Sequence, residues 1–146
     1  YRRQRQMCIR DRPYQPIQPR PPRILVVDDD PLILLVIKTF LKPYPVTVYT
    51  FNYPGEAIQA FRSQPFDILI TDRSMPGIDG FTLLRILKKR HPPLKTILMS
   101  GCDIDSIQSY FASTATRPDA FIQKPFTKES LLATLSPFVP TLTLVI

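Results

Sequence analysis

Five polar residues, each at the end of a short apolar run, are the side chains of this chain best suited to chemistry. Asp28 and Asp29 follow the run ILVV, Asp72 follows ILIT, Ser100 follows TILM and Lys124 follows AFIQ. Carboxylates that converge from two such runs repel one another unless a cation is present. A small divalent cation with oxygen ligands resolves that repulsion. Mg²⁺ is the best candidate, because it accepts one or two carboxylates and keeps several waters.

The same side chains suit phosphoryl transfer. A bound metal ion and the ammonium group of Lys124 could neutralise phosphoryl oxygens, and the Ser100 hydroxyl could bond to a third oxygen. Asp72 could be the attacking carboxylate, so that a covalent intermediate forms on the protein. The residue types therefore predict an aspartyl-phosphate site with Asp72 as the acceptor.

The stretch FDILITDRSMPGIDG, residues 66–80, explains why Asp72 comes first among these residues. Its apolar run predicts a buried strand, and Pro76, Gly77 and Gly80 follow within eight residues of Asp72. A strand of this kind places its final residue, the carboxylate Asp72, at the start of a turn-rich loop.

Short apolar runs alternate with segments of helical period along residues 24–135, which predicts five strand-helix units. Such a chain forms a doubly wound α/β fold, a parallel sheet with helices on both faces, and its functional loops lie at the carboxyl ends of the strands. All five polar residues therefore belong at one edge of the sheet. The predicted strands are 24–27, 46–51, 67–72, 96–99 and 120–123, and the predicted helices are 31–42, 54–63, 79–91, 103–115 and 127–135.

Composition limits the class of protein. A chain of 146 residues suits one folded domain, and a hydrophobic fraction of 44% with a charged fraction of 21% is ordinary for a soluble globular protein. The net charge of +7 is concentrated in the N-terminal part. Residues 1–23 hold seven arginines against Asp11, a net +6, and the remainder holds twelve basic residues against eleven acidic ones, a net +1. The folded part is therefore not expected to bind nucleic acid, nor to enter a membrane.

The two ends of the chain differ from its body. Residues 1–22 carry five prolines and many arginines, which predicts a disordered basic tail. The opening string YRRQRQMCIRDR also resembles a conceptual translation of sequencing-adapter DNA, the alternative being a genuine tail that binds nucleic acid or an anionic membrane. Residues 137–146 form an exposed apolar tail, and no output domain is predicted after it. Cys102 is the only cysteine after Cys8, so no disulfide framework is expected, which fits a reducing cytoplasm.

Four motifs in this order resemble the receiver domain of two-component response regulators over about residues 23–136. They are the acidic pair in ILVVDDDP, the acceptor in LITDRSMPGIDG, the hydroxyl in LMSG and the lysine in FIQKPF. The resemblance implies a flavodoxin-like five-stranded parallel sheet in the order 2-1-3-4-5. It also implies a phosphorylation-activated signalling switch in a phosphorelay, rather than an enzyme acting on a separate substrate. Its own chemistry would be Mg²⁺-dependent self-phosphorylation and autodephosphorylation at Asp72.

Carried over residue by residue, the resemblance adds roles to the polar set. Asp29 becomes the direct Mg²⁺ ligand and Asp28 acts through water, with the backbone carbonyl of Ser74 as a further ligand. Lys124 binds the phosphoryl group and Ser100 moves towards it. Phe121 is the aromatic residue that turns inward when Ser100 moves, and it stands where the family more often has Tyr.

The implied partners are a histidine kinase or histidine phosphotransfer protein as donor. An output domain or target protein would be contacted through the face formed by the fourth helix, fifth strand and fifth helix. Residues 113–119 lack the family's usual Ala-Gly pattern, which leaves the shape of that face open.

Two alternatives from other classes remain. A phosphohydrolase of the haloacid dehalogenase type would use Asp28 and Asp30 as its opening motif. However, it needs an acidic pair after Lys124, where Glu129 is the only acid, and it leaves Asp72 unexplained. The second alternative is a pseudo-receiver that binds partners without being phosphorylated.

Overall fold

The computed structural model of the protein describes residues 20–111 and 116–142, except the side chains of Ile104 and Tyr110. Residues 1–19 of the predicted disordered tail therefore lie outside the described residues. Arg20 and Pro22, near the end of that tail, contact the fold. Arg20 pairs with Asp67 at 2.8 Å, and the carbonyl of Pro22 accepts from Thr47 N at 2.9 Å. Residues 20–22 therefore do not share the predicted disorder.

Five parallel strands form one sheet in the order β2-β1-β3-β4-β5, which confirms the predicted fold. Strands β1 and β3, in the interior of the sheet, are almost entirely buried, as expected where helices cover both faces. Asp72 at the end of β3 lies opposite Met99, and Ser100 at the end of β4 lies opposite Gln123. The strands are β1 Arg23–Val27, β2 Thr47–Phe51, β3 Ile68–Asp72, β4 Lys95–Ser100 and β5 Ala120–Gln123.

Four helices connect successive strands and a fifth follows β5, and local sequence explains where several of them begin. Asp30 accepts from Leu32 N at 2.9 Å and caps α1, while Asp79 accepts from Thr82 N at 2.8 Å and caps α3. The predicted bounds agree to within one residue at each end, except in the fourth helix, where residues 112–115 lie outside the described part. The helices are α1 Pro31–Leu41, α2 Pro54–Ser63, α3 Gly80–Arg90, α4 Ile104–Phe111 and α5 Lys128–Leu135.

The buried side chains form three clusters, because successive residues of a strand point to opposite faces of the sheet. One face packs against α1 and α5, with Ile24 and Ile70 among its strand residues. The other face packs against α2 and α3, with Leu25 and Leu69 among its strand residues. A smaller third cluster packs α4 against β4 and β5. The sheet, and with it the carboxyl edge, is thus packed between helices on both faces.

The segment after α5 packs against the same core as α1. Val139 is 1% exposed and Leu142 is fully buried, and Phe138 is partly buried beside them. The prediction of an exposed apolar tail is therefore wrong for these residues, because the α1 and α5 face of the sheet leaves apolar surface for them to cover. Residues 143–146 lie outside the described part.

Gly80 allows the first turn of α3 to approach the end of β3. A Cβ at this position would lie 1.9 Å from the carbonyl oxygen of Asp72 and 2.8 Å from its carbonyl carbon. We expect Gly80→Ala to lower the free energy of unfolding by about 2 kcal/mol, because backbone must move to accept the methyl group. Denaturant unfolding measures this loss.

Gly55 is the matched control, since it lies in the first turn of α2 and a Cβ there meets nothing within 4 Å. We expect Gly55→Ala to be neutral or to stabilise by about 0.5 kcal/mol through its better helix propensity. Equal effects of the two substitutions would contradict a steric role for Gly80.

Candidate functional site

The carboxyl edge of the sheet brings three acidic side chains together. Carboxylate oxygens of Asp28, Asp29 and Asp72 lie within 4.8 Å of one another. Asp28 is fully buried and Asp72 is 8% exposed, whereas Asp29 is exposed. The structure thus places the predicted acidic residues in one cluster, with one member open to solvent.

Asp28 is held by hydrogen bonds to both of its carboxylate oxygens. Its Oδ1 accepts from Asp30 N at 2.9 Å, and its Oδ2 accepts from Lys124 Nζ at 2.7 Å. Burial raises the pKa of the Asp28 carboxyl, and repulsion from Asp72 adds to the rise, while the bonds from Lys124 and Asp30 oppose it. The ionised form of Asp28 is therefore destabilised in the metal-free protein.

Lys124 at the end of β5 joins two members of the acidic cluster. Its Nζ lies 2.7 Å from Asp28 Oδ2 and 3.1 Å from Asp72 Oδ1. Burial would lower the pKa of this ammonium group, but hydrogen bonds to Asp28 and Asp72 outweigh burial, and the pKa is raised. Lys124 is therefore a fixed cation in contact with the Asp72 carboxylate.

Ser100 lies beside this set, at the end of β4. Its backbone carbonyl accepts from Lys124 N at 2.7 Å, which ties the ends of β4 and β5 together. Its hydroxyl oxygen accepts from Cys102 N at 3.0 Å, so the side chain is engaged with its own loop. Movement of Ser100 towards a group on Asp72 stays a prediction.

The loop after Asp72 begins as an extension of the strand. Arg73 N donates to Met99 O at 2.8 Å, and Gly77 adopts a φ of 84°, in the left-handed region that favours glycine. Ser74 is exposed in this loop. Its carbonyl as a metal ligand stays a prediction.

Phe121 is partly buried in the small cluster under α4. Its ring stacks on Phe111 with centroids 6.2 Å apart, and Phe111 in turn lies 4.4 Å from Phe81 at the start of α3. An open groove of about 880 Å³ between α4 and β5 is lined by both Phe111 and Phe121. The role of Phe121 as a switch residue stays a prediction, but its aromatic neighbours were not predicted.

A contact at the mouth of the site was also missed by sequence reasoning. Arg73 Nη1 donates to Cys102 Sγ at 3.8 Å, although the two residues are 29 apart in the chain. An arginine that follows a strand is usually a solvent-exposed charge, and nothing in the sequence pattern around Arg73 indicates this contact.

The acidic cluster fits a divalent cation. Two of its carboxylates are buried against each other with one ammonium group between them, and the third adds a further negative charge from the solvent side. Asp28, Asp29 and Asp72 could hold Mg²⁺, a hard cation that prefers oxygen ligands. Asp30 is exposed and caps α1, so it is not a member of the cluster.

Metal binding should appear as a gain in stability. At a Mg²⁺ concentration ten times its Kd, we expect the free energy of unfolding to rise by about 1.4 kcal/mol. Asp29→Asn removes one charge from the cluster, so the metal-free variant should melt at a higher temperature than wild type and should lose most of the Mg²⁺-dependent gain. Thermal melts with Mg²⁺ or with a chelator measure both effects.

Asp30→Asn is the matched control for that melt, because asparagine keeps the cap on α1 and leaves the cluster intact. A Mg²⁺-dependent gain that survives Asp29→Asn, or disappears in Asp30→Asn, would contradict the assignment of the cluster.

Comparison with known proteins shows which family the chain resembles. The family model described as the response regulator receiver domain matches residues 24–136. The DNA-binding transcriptional regulator NtrC of Escherichia coli is 35% identical over 111 residues, which cover 75% of this chain and 23% of NtrC. The chain thus spans about a quarter of the length of such relatives.

Solved structures agree with that match. The signal receiver domain of an HD domain-containing protein from Pseudomonas fluorescens Pf-5 has a TM-score of 0.74 at 27% identity, covering 85% of this chain and 98% of that one. The response regulator TrrA from Thermotoga maritima, solved in complex with Mg²⁺-BeF, has a TM-score of 0.68 at 28% identity, covering 81% and 99%.

Within the described residues, no helix combines the length and the apolar character that crossing a membrane requires.

Proposed function

Because the chain belongs to the response regulator receiver family, we propose that it is switched by transfer of a phosphoryl group to Asp72. One observation carries the proposal: Lys124 contacts both Asp28 and Asp72, at the end of the strand next to the one that ends in Ser100. A nucleophilic carboxylate, a fixed cation and a hydroxyl donor are thus close together. This is the set of groups that acyl phosphate formation requires.

Each group has a separate role in the proposed transfer. A carboxylate oxygen of Asp72 forms a bond to phosphorus while the bond from phosphorus to the donor breaks, and the donor leaves with that electron pair. Lys124 exchanges its contact with the Asp72 carboxylate for one with a phosphoryl oxygen. Asp28, Asp29, Asp72 and the carbonyl of Ser74 would hold Mg²⁺, which would supply positive charge against the phosphoryl oxygens.

The switch would follow from the new charge. Phosphorylation adds about −1.5 to −2 charge at Asp72. Ser100 then gains more from a phosphoryl oxygen than from Cys102 N, and Phe121 repacks as Ser100 leaves. Shifting the protein from mostly inactive to mostly active requires about 5 kcal/mol of difference between the two states. The face formed by α4, β5 and α5 would change shape and contact the output domain or target.

The proposed donor is a histidine kinase or a histidine phosphotransfer protein, and the chemistry is confined to the chain's own Asp72. A donor protein must cover the carboxyl edge of the sheet to reach that side chain. The exposed large apolar residues at this edge include Leu32 and Leu35 on α1, which are 67% and 60% exposed. They lie three residues apart, on one face of a helix that begins beside the acidic cluster.

Leu35→Glu should therefore affect phosphoryl transfer from a donor protein differently from phosphoryl transfer from a small phosphodonor. We expect transfer from a donor protein to slow about tenfold, because a charge replaces an apolar contact at the interface. Phosphorylation by a small phosphodonor should be unchanged, since Leu35 is not among the site residues. Leu35→Met, which keeps the apolar surface, is the control, and equal slowing with both kinds of donor would contradict a docking role.

The direct test of the proposed function is the mass of the intact protein after incubation with Mg²⁺ and a small phosphodonor such as phosphoramidate. We expect the mass to increase by one acid-labile phosphoryl group, and the increase to disappear when a chelator replaces Mg²⁺. A wild-type protein that is folded and binds Mg²⁺ but gains no phosphoryl group would favour the pseudo-receiver alternative.

A further inference from the structure

Arg73, the residue after the proposed acceptor, connects the two loops that flank the site. Its backbone N donates to Met99 O at 2.8 Å, and its Nη1 donates to Cys102 Sγ at 3.8 Å. Arg73 opens the loop after β3, and Cys102 belongs to the loop after β4. The side-chain contact therefore ties the loop of the acceptor to the loop that follows Ser100.

Cys102 is also the residue that holds the Ser100 hydroxyl. Its backbone N donates to Ser100 Oγ at 3.0 Å, while its thiol sulfur accepts a hydrogen bond from the Arg73 guanidinium. Ser100 is buried and Cys102 is exposed, so the loop can move outward without breaking the core. Because both contacts converge on Cys102, loss of one makes loss of the other easier.

The thiol of Cys102 and a phosphoryl oxygen differ greatly in strength as acceptors for Arg73. A thiol sulfur is a weak acceptor, whereas a phosphoryl oxygen carries charge and suits the fork of a guanidinium group. Asp72 is adjacent to Arg73 in the chain, so a phosphoryl group there would lie within the length of an arginine side chain. Lys124 contacts two carboxylates of the acidic cluster, so Arg73 would add a second side-chain cation to the phosphoryl oxygens, beside the charge that bound Mg²⁺ would supply.

We propose that Arg73 is a phosphoryl-responsive latch. In the unphosphorylated protein its guanidinium holds Cys102. When Asp72 is phosphorylated, Arg73 exchanges the thiol for phosphoryl oxygens, and Cys102 and the Ser100 hydroxyl are released together. Arg73 is thus a second phosphoryl-binding cation and a positioning residue for Ser100. The proposal rests on the proposed function, since it requires phosphorylation of Asp72.

Reactivity of the Cys102 thiol tests the latch directly. Cys8→Ser leaves Cys102 as the only cysteine, because the chain has two. The full chain is incubated with Mg²⁺, phosphoramidate and an uncharged maleimide for short times, and intact mass counts the phosphoryl group and the label on each molecule. We expect phosphorylated molecules to be labelled roughly threefold more slowly than unphosphorylated ones, because maleimide reacts with the thiolate, which an adjacent guanidinium favours, and that guanidinium has moved to the phosphoryl group.

Variants of Arg73 decide whether that difference comes from the latch. In Arg73→Gln, both populations should be labelled at the same rate, whereas Arg73→Lys should keep part of the difference because its charge remains. The same difference in Arg73→Gln as in the parent would overturn the proposal. So would equal labelling of the two populations in the parent.

Rates of phosphorylation provide a second measurement that a merely structural role would not reproduce. Arg73→Gln removes the cation and should slow phosphoryl uptake, while Cys102→Ala removes the thiol contact of that cation and should speed uptake. Changes in the same direction would overturn the latch. Failure of the parent to gain any phosphoryl group would overturn the proposed function itself, and the mass spectrum distinguishes the two failures.

Discussion

Asp72→Asn should abolish the gain of an acid-labile phosphoryl group, with no detectable increase in mass under conditions where wild type is largely modified. The amide cannot act as the nucleophile, and every other part of the site remains in place. Because the substitution removes one charge from a repelling cluster, the variant should be at least as stable as wild type. Intact mass and a thermal melt on the same sample separate loss of the acceptor from loss of the fold.

The control for this substitution is Asp103→Asn, an exposed acid before α4 that is not a member of the cluster. Its side chain accepts from Ser106 N at 3.2 Å, and asparagine can accept the same bond. Asp103→Asn should take up the phosphoryl group as wild type does. A phosphoryl group that persists in Asp72→Asn would place the acceptor elsewhere and remove the basis of the proposed function.

Lys124→Gln should slow phosphoryl uptake from a small donor about a hundredfold. The substitution removes the only ammonium group described in contact with Asp72, at the position where charge on the phosphoryl oxygens must be stabilised. It also leaves the buried Asp28 carboxylate without its charged partner, which should lower the free energy of unfolding by about 1–3 kcal/mol. Single-turnover phosphorylation and denaturant unfolding measure the two losses separately.

Two further substitutions sharpen this result. Lys124→Arg keeps the charge but changes its shape, so it should recover stability more fully than the rate. Lys88→Gln removes a lysine whose Nζ pairs with Asp119 at 3.6 Å, away from the acidic cluster, and it should leave uptake unchanged. If Lys124→Gln were phosphorylated as fast as Lys88→Gln, Lys124 would have no role in the transfer.

The position of the site is predictable because it depends on strand ends alone. Asp28, Asp72, Ser100 and Lys124 each follow an apolar run, and parallel strands bring such ends to one edge. The strand order followed from the resemblance to a family rather than from periodicity, which allows several doubly wound orders. The strand order agrees with the structure, and so does the convergence of Asp28 and Asp72 at one edge of the sheet.

Loop and rotamer details could not be predicted in the same way. The bond from Cys102 N to Ser100 Oγ and the contact of Arg73 with Cys102 depend on how two loops face each other across the sheet edge. No periodic pattern encodes that geometry. The stacking of Phe111 on Phe121 was missed for a related reason, since it depends on the packing of α4 onto β5.

The burial of Val139 and Leu142 means that the cooperative folding unit is longer than the stretch recognised by the family pattern, which ends at residue 136. Each of these side chains contributes roughly 1.5–3 kcal/mol by leaving water, a sizeable share of the marginal stability of a small domain. They pack in the cluster that also contains Ile37 and Leu41 of α1. Movement of α5 would therefore displace α1 through these buried contacts. The segment after α5 couples the two helices, although it carries none of the sequence motifs.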